Sequence, residues 1–132
     1  MRVEELQFTD LIPVRKLRGV YLLWKDGEVV YVGQSESIQQ RVSTHLADPK
    51  KYFNAVSYAV VETGDLNQLE ADLIVKYDPY LNHGLPRNTK YVTKNHIKKH
   101  LGIGGWDLRK ILRNIKPIWR DYYLVSDVLG VK

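Results

Sequence analysis

The 132-residue sequence contains no cysteine. That excludes a disulfide framework and any thiolate metal site. It also suits a reducing compartment, so a cytoplasmic location is expected. No run approaches the ~20 apolar residues of a membrane span. Met1–Asp10 is mixed and charged and lacks the apolar stretch of a signal peptide. Internal repeats and low-complexity tracts are missing as well. His83, His96 and His100 have no partners at metal-ligand spacing. His96 and His100 stand four apart, but no third ligand completes a zinc set. The length leaves room for one domain, or one domain with a small module.

Charge is present but unevenly placed. The formal net charge is +5. Residues 1–83 hold 9 Lys/Arg and 12 Asp/Glu, a net of −3, whereas residues 84–132 hold 11 Lys/Arg and 3 Asp, a net of +8. A basic tail behind a mildly acidic body is a nucleic-acid pattern, although a solvated lysine-rich surface has the same composition.

The most patterned stretch is GVYLLWKDGEVVYVGQS, Gly19–Ser35. Two apolar arms rich in β-branched and aromatic residues flank Lys25-Asp26-Gly27, which reads as a hairpin. A two-residue loop Asp26-Gly27 pairs Lys25 with Glu28 and leaves Tyr21 and Tyr31 on opposite faces. A three-residue loop with Gly27 in a bulge pairs Trp24 with Glu28 and sets Tyr21 across from Tyr31 on one face. The three-residue loop is expected, because two tyrosines on one face make a site.

Downstream, Ser37-Ile38-Gln39-Gln40 reads as a capping box opening a helix to about Leu46, with Ile38, Val42 and Leu46 toward the core. Arg41 and His45 lie four apart on the adjoining flank and could line a cleft; a solvated helix face would carry them equally well. Tyr52–Val61 reads as a third strand. Asp65 and Gln68 form a second capping box for a helix to about Tyr77, with Leu66, Leu69, Leu73, Ile74 and Tyr77 inward. Glu70 falls inside that stripe, where a bare carboxylate is costly and calls for a partner or a metal. Asp72 lies off the stripe and reads as a solvated surface acid. Pro79-Tyr80-Leu81-Asn82 closes the body. Before the hairpin, Leu6, Phe8, Leu11, Ile12, Val14 and Leu17 supply enough apolar surface to pack on the body, with Pro13 barring a continuous helix.

After a Gly/Pro-punctuated linker at 83–89, the tail has its own pattern. Thr93 caps a helix to Leu101, with Ile97 and Leu101 inward and Gly102 suited to the left-handed position after it. A second helix, about Trp106–Asn114, turns Leu108, Ile111 and Leu112 inward and leaves Arg109, Lys110 and Arg113 outward. Pro117–Arg120 and Tyr122–Val125 are expected to pair as a short β-wing, and Ser126 to cap a last turn.

Gly19-Val20-Tyr21 and Tyr31-Val32-Gly33, followed in order by Arg41, His45, Glu70 and Pro79-Tyr80-Leu81-Asn82, resemble the GIY-YIG nuclease family over roughly residues 18–83. The tail is similar, on pattern alone, to the winged helix-turn-helix modules of phage excisionases. The resemblance implies an α+β fold: a small three-stranded antiparallel sheet flanked by helices over 1–86, then a basic winged-helix module over 87–132. It implies a metal-dependent DNA endonuclease with a catalytic set of Tyr21, Tyr31, Arg41, His45 and Glu70. Glu70 would hold Mg²⁺ or Mn²⁺, and Gly33 and Asn82 would support the site. Lys98, Lys99, Arg109, Lys110, Arg113 and Arg120 are the residues expected to hold DNA, double-stranded, with the chain a monomer or weak dimer. Its short, compact form leans toward a phage or mobile element. The rival is a non-catalytic DNA-binding regulator or recombination accessory protein that uses the nuclease fold as a scaffold.

Overall fold

A computed structural model describes residues 1–11 and 14–128. Strand β1 (Gly19–Lys25) and β2 (Glu28–Ser35) form the hairpin, and β3 (Ala55–Val60) pairs antiparallel on the other side of β1, giving the order β2-β1-β3. The loop corrects the expectation from spacing. Lys25 pairs with Glu28 across the two residues Asp26 and Gly27, both at positive φ (49° and 86°), as a type I′ turn requires. Past the turn Trp24 pairs with Val29, but Leu23 pairs with Tyr31, so Val30 is an extra residue on β2. This bulge restores the parity that the short loop would otherwise break. Leu23 faces Tyr31 and Tyr21 faces Gly33, and both tyrosines share one face of the sheet.

Helix α1 (Ile38–Leu46) lies on that face and α2 (Leu66–Tyr77) on the other. Tyr21, Leu23, Val30 and Ile38 form one apolar cluster, with Leu17, Tyr31, Val42 and Phe53 against it. Val32 and Ile74 form a second, joined by Leu22, Val29 and Leu73. The Ser37 side chain makes no cap bond, so the first capping box is not formed. Asp65 caps α2 by accepting from the Asn67 amide, while Gln68 is turned to other partners. Two inward assignments also change. Leu46 is 66% exposed, and His45 takes the buried place on α1. Leu69 faces solvent on α2, where Leu66, Ala71 and Ile74 are buried. Strand β3 is shorter than expected and exposed along its length.

Among the described residues before β1, only a 3-10 turn, Val3–Glu5, is regular. Leu6, Phe8, Leu11 and Val14 are exposed and do not pack on the body; of the segment's apolar residues, Leu17 does, and Ile12 and Pro13 lie outside the described residues. Leu17 is drawn in because its amide donates to Gln39 Oε1 (3.0 Å) and its carbonyl accepts from the Ile38 amide (2.8 Å).

The tail comprises β4 (Tyr91–Thr93), α3 (Lys94–Leu101), α4 (Gly105–Ile111), β5 (Tyr122–Leu124) and α5 (Val125–Val128). Thr93 caps α3 and Gly102 ends it at φ 64°. Val92, Ile97, Leu108, Tyr123 and Val128 make its own small core. Leu101 and Ile111 face outward, because each helix is too short to bury more than its one inner row. The expected wing is replaced. β5 pairs with β4, and Pro117–Arg120 meets Tyr122 by a bridge at Trp119. The tail also reaches into the body: Trp119 is buried with Val32 and Ile74, and its Nε1 donates to Asp78 Oδ1 (2.6 Å). Asp72 belongs to the same join and is not a free surface acid. It accepts from Tyr91 Oη (2.6 Å) and Gln68 Nε2 (3.0 Å) and pairs with Lys90 (3.4 Å). Burial alone would raise this carboxyl, but those bonds and the Lys90 charge hold it below the usual range.

Candidate active site

The hairpin and α1 bring three rings together. Tyr21 and Tyr31 have centroids 6.4 Å apart, and the His45 ring lies 5.7 Å from Tyr21 and 4.9 Å from Tyr31. His45 Nε2 is 2.7 Å from the Tyr21 hydroxyl. Tyr21 is 1% and His45 2% exposed, while Tyr31 is half-buried. Gly33 explains how a tyrosine can sit there: a Cβ on Gly33 would fall within the Tyr21 ring and hydroxyl. The absent side chain is the space that Tyr21 fills.

The outer edge of β2 is sealed up to this point. Asn82, itself buried, accepts from the Val32 amide and donates back to the Val32 carbonyl, both at 2.9 Å. One side-chain amide thus completes the strand's pairing as a neighbouring strand would. The Leu81 amide adds a bond to the Val30 carbonyl (3.1 Å). Just beyond this seal, Gln34 points to the α2 side, where its Nε2 donates to Asn67 Oδ1 (2.7 Å) and Glu70 Oε2 (3.2 Å).

Arg41, exposed on α1, connects the two sides, for its charge is felt by Tyr21, Tyr31 and Glu70 alike. Burial pushes the Tyr21 phenol up, the Tyr31 charge adds to this, and Arg41 opposes it. Tyr31 is raised by burial and by Glu70, again against Arg41. Burial raises the Glu70 carboxyl, with Gln34 and Arg41 pulling it back. His45 is pushed down to about 4 by burial and by the charges of Lys51 and Arg41, so its imidazole is neutral at neutral pH.

Tyr21, Tyr31 and His45 therefore gather beside Gly33 on the α1 face, Glu70 meets Gln34 on the α2 side, and Asn82 lies behind the strand. Lys98, Lys99, Arg109, Lys110, Arg113 and Arg120 stand apart on the tail. Lys98 is half-buried and the others are exposed; Arg113 lies past the end of α4. Lys110 covers the Trp106 ring (3.6 Å) and Arg120 the Trp119 ring (4.3 Å). None of the six has an acidic partner among the described residues.

Two residues at the site escape sequence reading. Gln34 holds Glu70, and its signal is a polar residue directly after an apolar strand run. Lys51 has Nζ 3.2 Å from His45 Nδ1 and 4.4 Å from the Tyr31 ring centroid. Nothing in its Lys50-Lys51 context marks it.

No protein-family model matches the chain. In sequence it is similar to UvrABC system protein C of Mycoplasma pneumoniae, 36% identical over 86 residues, which cover 56% of this chain and 14% of that protein. It is likewise similar to the UvrABC system protein C of Mycoplasmoides gallisepticum, 35% identical over 96 residues, 64% of this chain and 16% of that one. The chain thus spans about one-seventh of the length of these relatives. Among solved structures, the GIY-YIG N-terminal endonuclease domain of UvrC from Thermotoga maritima, bound to magnesium as its catalytic divalent cation, is 25% identical. That match covers 52% of this chain and 85% of that chain, with a TM-score of 0.45. A point mutant of the same domain is 24% identical, also with a TM-score of 0.45, covering 52% of this chain and 86% of that chain.

The donor set at Glu70 fits one kind of metal. Among the described residues no group of three or more His, Cys, Asp or Glu gathers, which argues against a closed, fully protein-ligated site. One half-buried carboxylate, steadied by Gln34 on one oxygen, suits a hard divalent cation that keeps most of its shell for water and phosphate.

Proposed function

We propose that this chain is a divalent-metal-dependent DNA endonuclease that hydrolyses phosphodiester bonds at the Tyr21, Tyr31, Arg41, His45 and Glu70 site. The observation that carries the reading is the buried Tyr21–His45 pair beside Gly33, with the half-buried Glu70 held by the next residue, Gln34, and the exposed Arg41 on the same helix as His45. The likeness in sequence to two UvrABC system C proteins supports it.

Each residue has a task it is chemically able to perform. Arg41 holds a non-bridging phosphate oxygen with its planar fork. Glu70 holds Mg²⁺ or Mn²⁺, and when bound the cation supplies charge stabilisation at the phosphate and at the departing 3′ oxygen. Tyr21 is the oxygen to which an attacking water, admitted beside the phosphate, would give up its proton. Its phenol keeps its own proton at neutral pH, since burial and Tyr31 raise it further, so activation depends on nearby positive charge and on donated hydrogen bonds. Tyr31 and His45 hold that ring from two sides.

The tail serves to hold DNA. Lys99, Arg109, Lys110, Arg113 and Arg120 supply unpaired charge, and Lys98 lends the stem of a half-buried side chain. The helix pair α3–α4 with its glycine turn supports a helix-turn-helix reading, in which α4 approaches the major groove.

The test is cleavage of supercoiled plasmid with Mg²⁺ and with chelator. One chain offers one such site, so nicked circles should precede linear DNA. Glu70→Gln keeps the volume and removes the charge; turnover should fall to near background while DNA affinity holds or rises. Undiminished cutting by that variant places the metal elsewhere. No Mg²⁺-dependent cutting by the unaltered chain, with DNA still bound, favours a regulator built on the same scaffold.

A further inference from the structure

Lys51 is placed by a turn, not by an element. After α1 the Asp48 amide donates to the His45 carbonyl (3.1 Å), the Lys50 amide to Asp48 Oδ1 (3.0 Å) and the Lys51 amide to the Asp48 carbonyl (3.1 Å). The chain thereby folds back over the end of the helix. Lys51 Nζ arrives 3.2 Å from His45 Nδ1 and 4.4 Å from the centroid of the Tyr31 ring. The side chain is half-buried, and two aromatic neighbours fix its head.

An ammonium group has three donors and no acceptor. Facing it, Nδ1 can only accept, so the single proton of a neutral imidazole must sit on Nε2. That nitrogen is 2.7 Å from the Tyr21 oxygen. We propose that Lys51 is a positioning residue of this site, which fixes the proton of His45 on Nε2 and so makes His45 a donor to the Tyr21 oxygen and not an acceptor from it.

This deepens the endonuclease reading and rests on it for its catalytic consequence. His45 cannot take the phenol proton while Nε2 is occupied. The Tyr21 hydroxyl, itself buried, must then direct its own proton away from the ring and give it to a water molecule admitted with the substrate. The phenolate that remains keeps the Nε2–H bond and the nearby Arg41 charge. In the cutting step the water proton passes to that oxygen. The electron pair of the water O–H bond becomes available to the new P–O bond, and the pair of the broken P–O bond leaves with the 3′ oxygen, which takes a proton from solvent. The charged and titratable groups around His45 are Lys51 and Asp48 on the turn, Arg41 on its own helix, and Tyr21 and Tyr31 on the sheet. Burial, followed by the Lys51 and Arg41 charges, favours the neutral ring on which the argument depends; only Asp48 works against it.

The experiment is ¹⁵N NMR on histidine-labelled full-length chain, with His45→Gln used to assign the signal. The neutral tautomers differ in which ring nitrogen carries the protonated shift, whether or not DNA is cut. In the unaltered chain His45 should be protonated on Nε2 near pH 7. Lys51→Met should move it toward a mixture that includes Nδ1–H, and should lower kcat roughly tenfold or more with KM little changed. Lys51→Arg retains a donor, and should retain the tautomer and most of the activity. A folded-state spectrum otherwise unchanged in Lys51→Met guards against simple misfolding. The proposal is overturned if unaltered His45 carries its proton on Nδ1, or if Lys51→Met leaves the tautomer in place, or if the tautomer shifts and kcat does not. Failure of the endonuclease reading looks different: the Nε2 tautomer and its dependence on Lys51 are found as expected, yet no DNA is cut.

Discussion

Tyr21 lies across the α-carbon of Gly33, its paired residue on the neighbouring strand, and occupies the space a side chain there would fill. The glycine is therefore a requirement of packing, for its backbone is not in the left-handed region. Gly33→Ala places a methyl group in the Tyr21 ring. Overpacking of this kind costs roughly 1–3 kcal/mol of stability. The Tyr21 oxygen should also shift from His45, and a displacement near 1 Å lowers turnover by about 10²-fold. Urea unfolding and cleavage rates measured on the same variant check both; an alanine variant with full activity would show that the ring can move without consequence.

His45 makes folding pH-dependent with a definite sign. Its folded pKa is depressed to about 4. The unfolded chain therefore binds a proton near the ordinary ~6.5 while the native state does not. Stability from this residue is fully present above about pH 6.5 and is lost as the pH falls toward 4, by up to roughly 3 kcal/mol. The difference in urea midpoint between the unaltered chain and His45→Gln should shrink across that window. A difference that stays flat from pH 7 to pH 4.5 contradicts the buried, neutral imidazole.

The three-stranded sheet and the placing of Tyr21 and Tyr31 on one of its faces are legible in the sequence, but the route to them is not. Spacing puts Tyr21 and Tyr31 on one face by way of a three-residue turn. The molecule reaches the same face with a two-residue turn and an extra residue at Val30. A bulge is hidden when the inserted residue is as apolar as those around it. On α1 a four-residue period selects Ile38, Val42 and Leu46, whereas the helix buries His45. What decides between them is contact with Tyr21 and Lys51, which no local pattern contains. Asp72 is misread for the same reason, because its partners Tyr91 and Lys90 lie beyond the linker. The tail's glycine turn and Thr93 cap are local and can be read. Its pairing of β4 with β5 encloses two helices and cannot be.

The exposed cations of the tail should govern holding and leave chemistry alone. Arg109→Gln, Lys110→Gln and Arg113→Gln together remove three charges from residues that make no ion pair among the described residues. Each lost phosphate contact should reduce the slope of log K against log salt by about 0.9. Cleavage at saturating enzyme should persist, since all three belong to α4 and its end and not to the hairpin and α1 that carry Tyr21, Tyr31 and His45. Gel shifts across a salt series measure the slope. If affinity and slope are both unchanged, DNA is held by the body alone.

Trp119 tests whether the tail stands by itself. Its ring is buried against Val32 and Ile74, behind the strand that carries Gly33, and its Nε1 bonds to Asp78 at the end of α2. Truncating a buried tryptophan to alanine costs about 3–5 kcal/mol through lost burial and the cavity left behind. Because that cavity lies between body and tail, Trp119→Ala should lower a single unfolding transition and not melt the tail alone. Trp119→Phe keeps most of the packing and loses the hydrogen bond to the Asp78 carboxylate, at a smaller cost of about 1.5–3 kcal/mol. Its cleavage rate should stay near that of the unaltered chain at temperatures where both are folded. Hydrogen exchange separates the possibilities. Loss of protection in both β2 and α3 in Trp119→Ala shows one cooperative unit. Loss in α3 and β5 only, with β2 still protected, shows a tail that folds independently and merely leans on the body.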